Sequence, residues 1–197
     1  MRAPDATVST WRMVILEANV LVYQLGENTA YPRREWTAAA QKNIDSALWA
    51  RARSNSIGVI DAKGFEEREY TLFSSWADRT LDQIDARAEG RAFLDVNSVV
   101  QWRYDRPLER WRAILGGADH VLVTRFRDGY TTGGQAIADA FAGVQWIVRP
   151  QSIACAVSLK SGRIVWCARG ATPGWDLRSP HAAKAVVDRL VAEVLPR

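Results

Sequence analysis

The sequence predicts an α/β domain leaning toward α+β: one mixed β-sheet, helices packed against it, and a β-hairpin that closes it. Three observations lead there. Strand-like, helix-like and strand-like patterns follow one another at the start of the chain. Apolar residues recur at helical spacing in two long internal segments and again near the carboxyl end. Two β-branched runs flank a Lys-Ser-Gly turn. A chain of 197 residues suits a single domain, here residues 13–197 behind a flexible amino-terminal segment at 1–12.

The first element is the β-branched and aliphatic run from Met13 to Leu25, which reads as a strand broken near Ala18-Asn19 and ended by Gly26-Glu27-Asn28. Trp36, Ala40, Ile44, Ala47, Leu48 and Arg51 then form one stripe of a helix over about 34–53. Ser56 to Asp61 reads as a short buried strand. Tyr70, Phe73, Trp76, Ala77, Leu81, Ile84 and Ala88 give a second helix over 68–89, closed by Gly90. Residues 91–106 lack periodicity and read as a connection, with at most a short extended piece at Val99–Trp102. Pro107 opens a brief helix that turns Leu108, Trp111, Ile114 and Leu115 inward and stops at Gly116-Gly117.

Residues 120–127 then read as a strand leaving the core. Asp128 to Gly134 is a turn cluster that leads into a short helix near 135–141. Ser152–Leu159 and Arg163–Arg169 form the hairpin, turning at Lys160-Ser161-Gly162 in a three-residue loop, with Val157 and Val165 on one face. Ser179 is a good N-cap and Pro180 a good first-turn residue for a last helix over 180–195.

Composition excludes several classes. The chain carries 26 basic against 22 acidic residues, an excess too small and too dispersed to imply nucleic acid as a partner. No apolar run reaches the roughly 18 residues that a membrane span needs. The amino terminus lacks a secretory signal, so the chain is cytosolic if Met1 is its native start.

The Gly-rich segment Thr131, Thr132, Gly133 and Gly134, placed between a strand and a helix, is a candidate anion-binding turn, since amides at a helix start favour negative charge. It lacks the lysine of a phosphate loop and the spacing of a dinucleotide fingerprint. Cys155 and Cys167 face each other in the hairpin register. That register makes them a hydrogen-bonded pair, the less usual site for a bridge, and two free buried thiols are the favoured reading. His120 and His181 have no ligand-like spacing to either cysteine, so neither a metal nor any other cofactor is implied. No nucleophile and base can be paired.

Of nine tryptophans, Trp36, Trp49, Trp76, Trp111 and Trp166 fall on core or core-edge positions. Trp102, Tyr104, Arg125, Arg127 and Tyr130 combine aromatics with arginine as partner-binding surfaces do, and are the candidate docking patch.

Several segments together resemble a family of uncharacterised proteobacterial envelope lipoproteins. They are Gly117 to Val123, Arg127-Asp128-Gly129-Tyr130 with Gly133-Gly134, Val157 to Trp166, Trp175 to Pro180, and the opening Val14-Ile15-Leu16 with Glu35-Trp36-Thr37. That family is similar in architecture to the amino-terminal domain of TolB and to the curli-secretion lipoprotein. The resemblance implies a non-enzymatic protein of the periplasm or outer membrane that acts in envelope assembly, with other envelope proteins or sister subunits as partners. It also implies export and a lipid anchor, through which alone the chain would meet a membrane. The alternative function is a binding domain for an anionic small molecule at the 128–135 turn.

Overall fold

The structure, a computed structural model, describes residues 12–26, 29–54, 67–88, 104, 108–115, 117–131, 151–171, 176–192 and 194. The expected strand at 56–61, the extended piece at Val99–Trp102 and the short helix at 135–141 lie outside them.

The α/β expectation is met by a mixed sheet with helices on both faces. Strands β1 (Met13–Ile15), β2 (Asn19–Leu25) and β3 (Ala30–Pro32) precede helices α1 (Arg34–Ser54), α2 (Glu67–Ala88) and α3 (Glu109–Ile114). Strands β4 (His120–Thr131), β5 (Gln151–Ser158) and β6 (Ile164–Ala171) and helix α4 (Pro180–Leu190) follow. The sheet order is β3-β2-β4-β5-β6, with β1 pairing β4 as well. Strands β1 and β2 both run parallel to β4; the other pairings are antiparallel.

The opening strand breaks at Leu16–Ala18, beside the expected position near Ala18-Asn19, and Asn19 already belongs to β2. Backbone groups freed there would be costly to bury unpaired, and helix α1 supplies their partners. The Ala18 N–H donates to Asp45 Oδ1 at 3.0 Å. Gln41 Nε2 donates to the Ala18 carbonyl at 2.7 Å and to Asp45 Oδ2 at 2.6 Å. Burial raises the Asp45 carboxyl above its usual range, against the lowering effect of these hydrogen bonds.

Side chains alternate across a strand, and β4 shows how that divides the core. Leu122 and Phe126 join Val20, Val22, Ala154, Ala156 and Trp166 beneath α1 (Ala40, Ile44, Leu48) and α4 (Ala183, Val187, Leu190). Val121 and Val123 join Ile153, Cys155, Val157, Ile164 and Cys167 beneath α2 (Phe73, Ala77, Leu81, Ile84) together with Tyr104, Leu108, Trp111 and Leu115. On that second face Phe73 is an aromatic hub, with ring centroids 5.4 Å from Trp76, 5.3 Å from Tyr104 and 4.6 Å from Trp111. Each such pair adds about 1 kcal/mol beyond its buried area. The stripe residues whose side chains are described thus fall where their spacing predicts, except that Trp49 is 44% exposed. Helix α4 starts at Pro180 as expected, but the Ser179 side chain makes no capping bond and the helix ends at Leu190, short of the expected 195.

Three local expectations are corrected. Strand β4 does not end at 127: Asp128–Thr131 stay extended because they continue the parallel ladder opposite Val22–Leu25. Gly129 serves that ladder rather than a turn. A Cβ there would stand 2.9 Å from Leu25 Cδ2, so any side chain at this position would have to push the buried Leu25 side chain aside.

The hairpin forms, but Ser158 and Arg163 close a four-residue loop through the Ser158 N–H donating to the Arg163 carbonyl at 2.8 Å. Gly162 takes the left-handed conformation there, with φ 70°. A bulge follows: Val157 pairs with Ile164 and Ala156 with Trp166, which leaves Val165 as the extra residue. Val157 therefore faces α2 while Val165 packs on the α1 side, opposite faces rather than one.

Finally, Cys155 and Cys167 are bonded to each other rather than free. Beyond the bulge the register returns to the expected pairing. The Cα atoms are only 4.1 Å apart, the close spacing of a non-hydrogen-bonded pair, which favours a bridge.

Candidate functional site

Strand geometry separates the residues expected to make one partner patch. Trp102 lies outside the described residues. Tyr104 is 6% exposed and belongs to the core: its ring meets Phe73 and Trp76 edge-on, each at 5.3 Å, and its N–H donates to the Gly162 carbonyl at 2.9 Å. Arg125 and Arg127 occupy odd positions of β4 and face α2, whereas Tyr130 occupies an even one and faces α1 and α4.

Arg125 is buried and ion-paired with Asp82 of α2. Burial, then the neighbouring Arg127 guanidinium, pushes its pKa down to about 10. Arg127 is half-buried and donates to the Asn19 carbonyl at 3.2 Å and to Asn19 Oδ1 at 2.9 Å. These arginines stitch β2 to β4 and α2 to the sheet. Their alternation with Phe126 reads in sequence as a strand meeting solvent, because the covering by β2 and α2 is not visible from β4 alone. Thr131 is the last residue of β4, and Thr132, Gly133 and Gly134 lie outside the described residues.

What the structure does bring together is a cluster at the carboxyl end of β2 and β4, on the α1–α4 face, where ligand sites of parallel sheets commonly lie. Asp128 is 2% exposed at this end. Its Oδ1 accepts the Gly129 N–H at 2.9 Å, and its Oδ2 accepts the Tyr130 hydroxyl. Burial dominates over these bonds and pushes the carboxyl up to about 6. The Tyr130 oxygen in turn accepts the Leu177 N–H at 2.7 Å, and the Asp176 carboxylate acts on the phenol electrostatically. Burial and the Asp128 carboxylate both raise the phenol's pKa.

Arg178 closes the cluster from the turn before α4. It donates from Nε and Nη2 to the two oxygens of Asp176, each at 2.8 Å, a fork geometry that suits guanidinium and carboxylate. The pairing holds Asp176 below the usual carboxylate range and raises Arg178. The guanidinium also lies 4.6 Å from the Trp36 ring centroid and 4.2 Å from that of Tyr130. Arg33 sits over Trp36 at 5.5 Å, and Asn43 of α1 donates to the carbonyls of Leu177, at 3.3 Å, and Arg178, at 2.8 Å. The inner half of this cluster is a clasp between β4, α1 and the start of α4. Its outer half is a surface bearing Arg33, Arg34 and Tyr31, the last 60% exposed.

Sequence reasoning named only Tyr130 from this cluster. Asp176 and Arg178 stood in the Trp175–Pro180 segment that carries part of the family resemblance, and nothing in their spacing tied them to residues 33–43. Chemically the site offers a carboxyl that can hold a proton near neutrality, a phenol and a stacked cation. Among the described residues no three His, Cys, Asp or Glu side chains gather to hold a metal, and no helix is long and apolar enough to cross a membrane. His120 is half-buried, and burial lowers its pKa, partly offset by Asp119.

No protein-family model matches the chain, and no curated protein matches it. Similar chains among solved structures include the LpoB C-terminal domain from Salmonella enterica, 14% identical over 81% of this chain and 79% of that one, with a TM-score of 0.32. They also include lipoprotein GNA1162 from Neisseria meningitidis, 11% identical over 80% of this chain and 76% of that one, with a TM-score of 0.31. Similarity this loose leaves the functional reading to the residues themselves.

Proposed function

We propose that this chain is a non-enzymatic binding domain of the cell envelope, working outside the cytoplasm through contacts with other proteins or with further copies of itself. The observation that carries the reading is the outer half of the clasp. Tyr31, Arg33, Trp36 and Arg178 are the residue types that dominate binding energy at protein interfaces, and the fold gathers them at one end of the sheet on a rigid support. Trp36 and Arg178 are held by packing and hydrogen bonds, so little side-chain entropy is lost when a partner covers them. The Cys155–Cys167 bond supports the compartment, because structural disulfides persist where the environment is oxidising.

The test pairs Tyr31→Ala with Arg33→Glu in one variant and compares it with the parent by light scattering and by crosslinking in envelope extracts. Both residues are exposed, so the variant should keep its melting temperature and lose an assembly that the parent forms. A variant that keeps every assembly of the parent would reject this surface.

A further inference from the structure

We infer that the outer edge of the Arg178 guanidinium, with Arg33 beside it, is a receptor for a carboxylate side chain, so that the partner segment covering this surface carries an aspartate or glutamate. The inference rests on the reading of this surface as a protein-binding one and names the chemistry of what binds there.

A guanidinium presents two forks that match the two oxygens of a carboxylate, one from Nε and Nη2 and one from Nη1 and Nη2. In Arg178 the first fork is filled by Asp176, whose two oxygens accept from Nε and Nη2, each at 2.8 Å. The guanidinium carbon lies 4.6 Å from the Trp36 ring centroid and 4.2 Å from that of Tyr130, and those rings meet edge-on at 6.1 Å. Asp176 and the two rings thus hold the plane of the group in place. The second fork makes no hydrogen bond among the described residues, and the side chain is 31% exposed. It is a donor pair already oriented before any partner arrives, which lowers the entropy lost on binding.

A second cation stands close by. Arg33 lies 5.5 Å from the same Trp36 centroid, is exposed, and has no ion pair among the described residues. Both guanidiniums therefore flank one indole, and an anion seated on the second fork of Arg178 gains Arg33 as a neighbour.

Shape and charge select among anions. The fork is planar and bidentate, as a carboxylate is. Asp176 is bonded to the same guanidinium, and the Asp128 carboxylate also acts on it, so a doubly charged phosphate would meet two acids behind the cation. A singly charged carboxylate meets less repulsion. Tyr31 and Pro32, exposed just before Arg33, add apolar surface that the residues flanking an acidic side chain can cover and a small free carboxylate cannot.

The experiment titrates the full chain and follows the Arg178 Nε–H and Trp36 Nε1–H signals by NMR. The probes are a short capped peptide rich in glutamate and leucine, the same peptide with glutamine for glutamate, and sodium acetate at equal carboxylate concentration. The glutamate peptide should move both signals to saturation, and the glutamine peptide should leave them in place. Arg33→Gln alters only an exposed side chain and should weaken binding about two- to five-fold, as loss of one surface ion pair does. Arg178→Lys keeps the charge without the fork and should weaken it about ten-fold, read at Trp36. An equal response to the glutamine peptide, or an affinity that Arg33→Gln leaves unchanged, would overturn the receptor. Acetate acting as strongly as the peptide would overturn its assignment to a protein segment. The two readings fail separately. An assembly that is lost in the Tyr31→Ala and Arg33→Glu variant, with no response to the glutamate peptide, keeps the surface as a docking site and rejects the carboxylate; a variant that keeps every assembly rejects the docking site itself.

Discussion

Breaking the Cys155–Cys167 bond without removing its sulfurs separates the covalent effect from packing. The bond joins residues 12 positions apart, so it restrains a short loop in the unfolded chain. Loop-closure entropy for a loop of that length amounts to about 3 kcal/mol at room temperature. In a domain of this size each kcal/mol moves the melting temperature by about 2–4 °C, so full reduction should lower it by about 6–12 °C. The native hairpin holds the same register through its ladder and through Val157, Ile164 and Cys155 packed beneath α2, and the folded state should therefore survive reduction at room temperature. The assay is thermal unfolding by circular dichroism with and without a phosphine reductant. Alkylation of the denatured protein counts thiols in each sample. Two reactive thiols in the unreduced protein would refute the pairing. A confirmed bond whose reduction moves the midpoint by less than about 2 °C would refute the loop-closure argument.

Asp128 makes stability depend on pH with a definite sign. Its folded-state pKa is raised to about 6 from 3.8, so the folded chain binds the proton more tightly than the unfolded one. This contribution grows as pH falls through 6 and is lost as pH rises through it; between pH 7 and pH 5 it is worth about 1 kcal/mol, seen as a rise in the denaturation midpoint that D128N abolishes. Gly129→Ala places a methyl group 2.9 Å from Leu25 Cδ2 and should cost about 1–3 kcal/mol in urea unfolding; a loss below about 0.5 kcal/mol would mean that the Leu25 side chain turns aside at little cost. Arg112 and Asp119 pair at 3.0 Å on the surface, 50% and 37% exposed, so a double-mutant cycle should find a coupling below about 1 kcal/mol that fades with salt.

The elements most legible in the sequence were those with a single buried stripe. Ala40, Ile44 and Leu48 of α1, and Phe73, Ala77, Leu81 and Ile84 of α2, all face inward as their spacing requires, because a helix carries its own periodicity wherever it packs. The break at Ala18 was legible for a similar local reason, a polar residue interrupting an aliphatic run. Properties that depend on a distant neighbour were not legible. Asp128–Thr131 look like a turn until β2 lies beside them, and Gly129 suits a turn as well as it suits a close contact with Leu25. The bulge at Val165 shifts the hairpin by one residue. That shift moved Val165 to the other face and turned an unfavourable cysteine site into a favourable one. In the candidate site, Tyr130 was named for its chemistry and grouped with Arg125 and Arg127, although strand parity already set it on the other face. Its actual companions, Trp36 and Arg178, come from segments about a hundred positions away on one side and some fifty on the other, and no local pattern joins them.

The parallel pairing of β1 with β4 sets a schedule for the chain. Met13 meets His120 and Asn19 meets Arg125, so the first strands made must wait through more than a hundred residues of synthesis before their partner exists. Until β4 arrives, the aliphatic run from Met13 to Leu25 has, among the described strands, the short β3 to pair with, and the side chains that mend its break, Gln41 and Asp45, have no ladder to complete. Contacts this distant are paid for in loop closure before they return any energy, which makes folding slow relative to a helical domain of the same length. A truncated chain that stops before residue 120 should therefore expose the whole apolar strand and associate through it. The same delay would keep the chain threadable, because among the described strands of its first half only the β2–β3 pair can form before β4 is made.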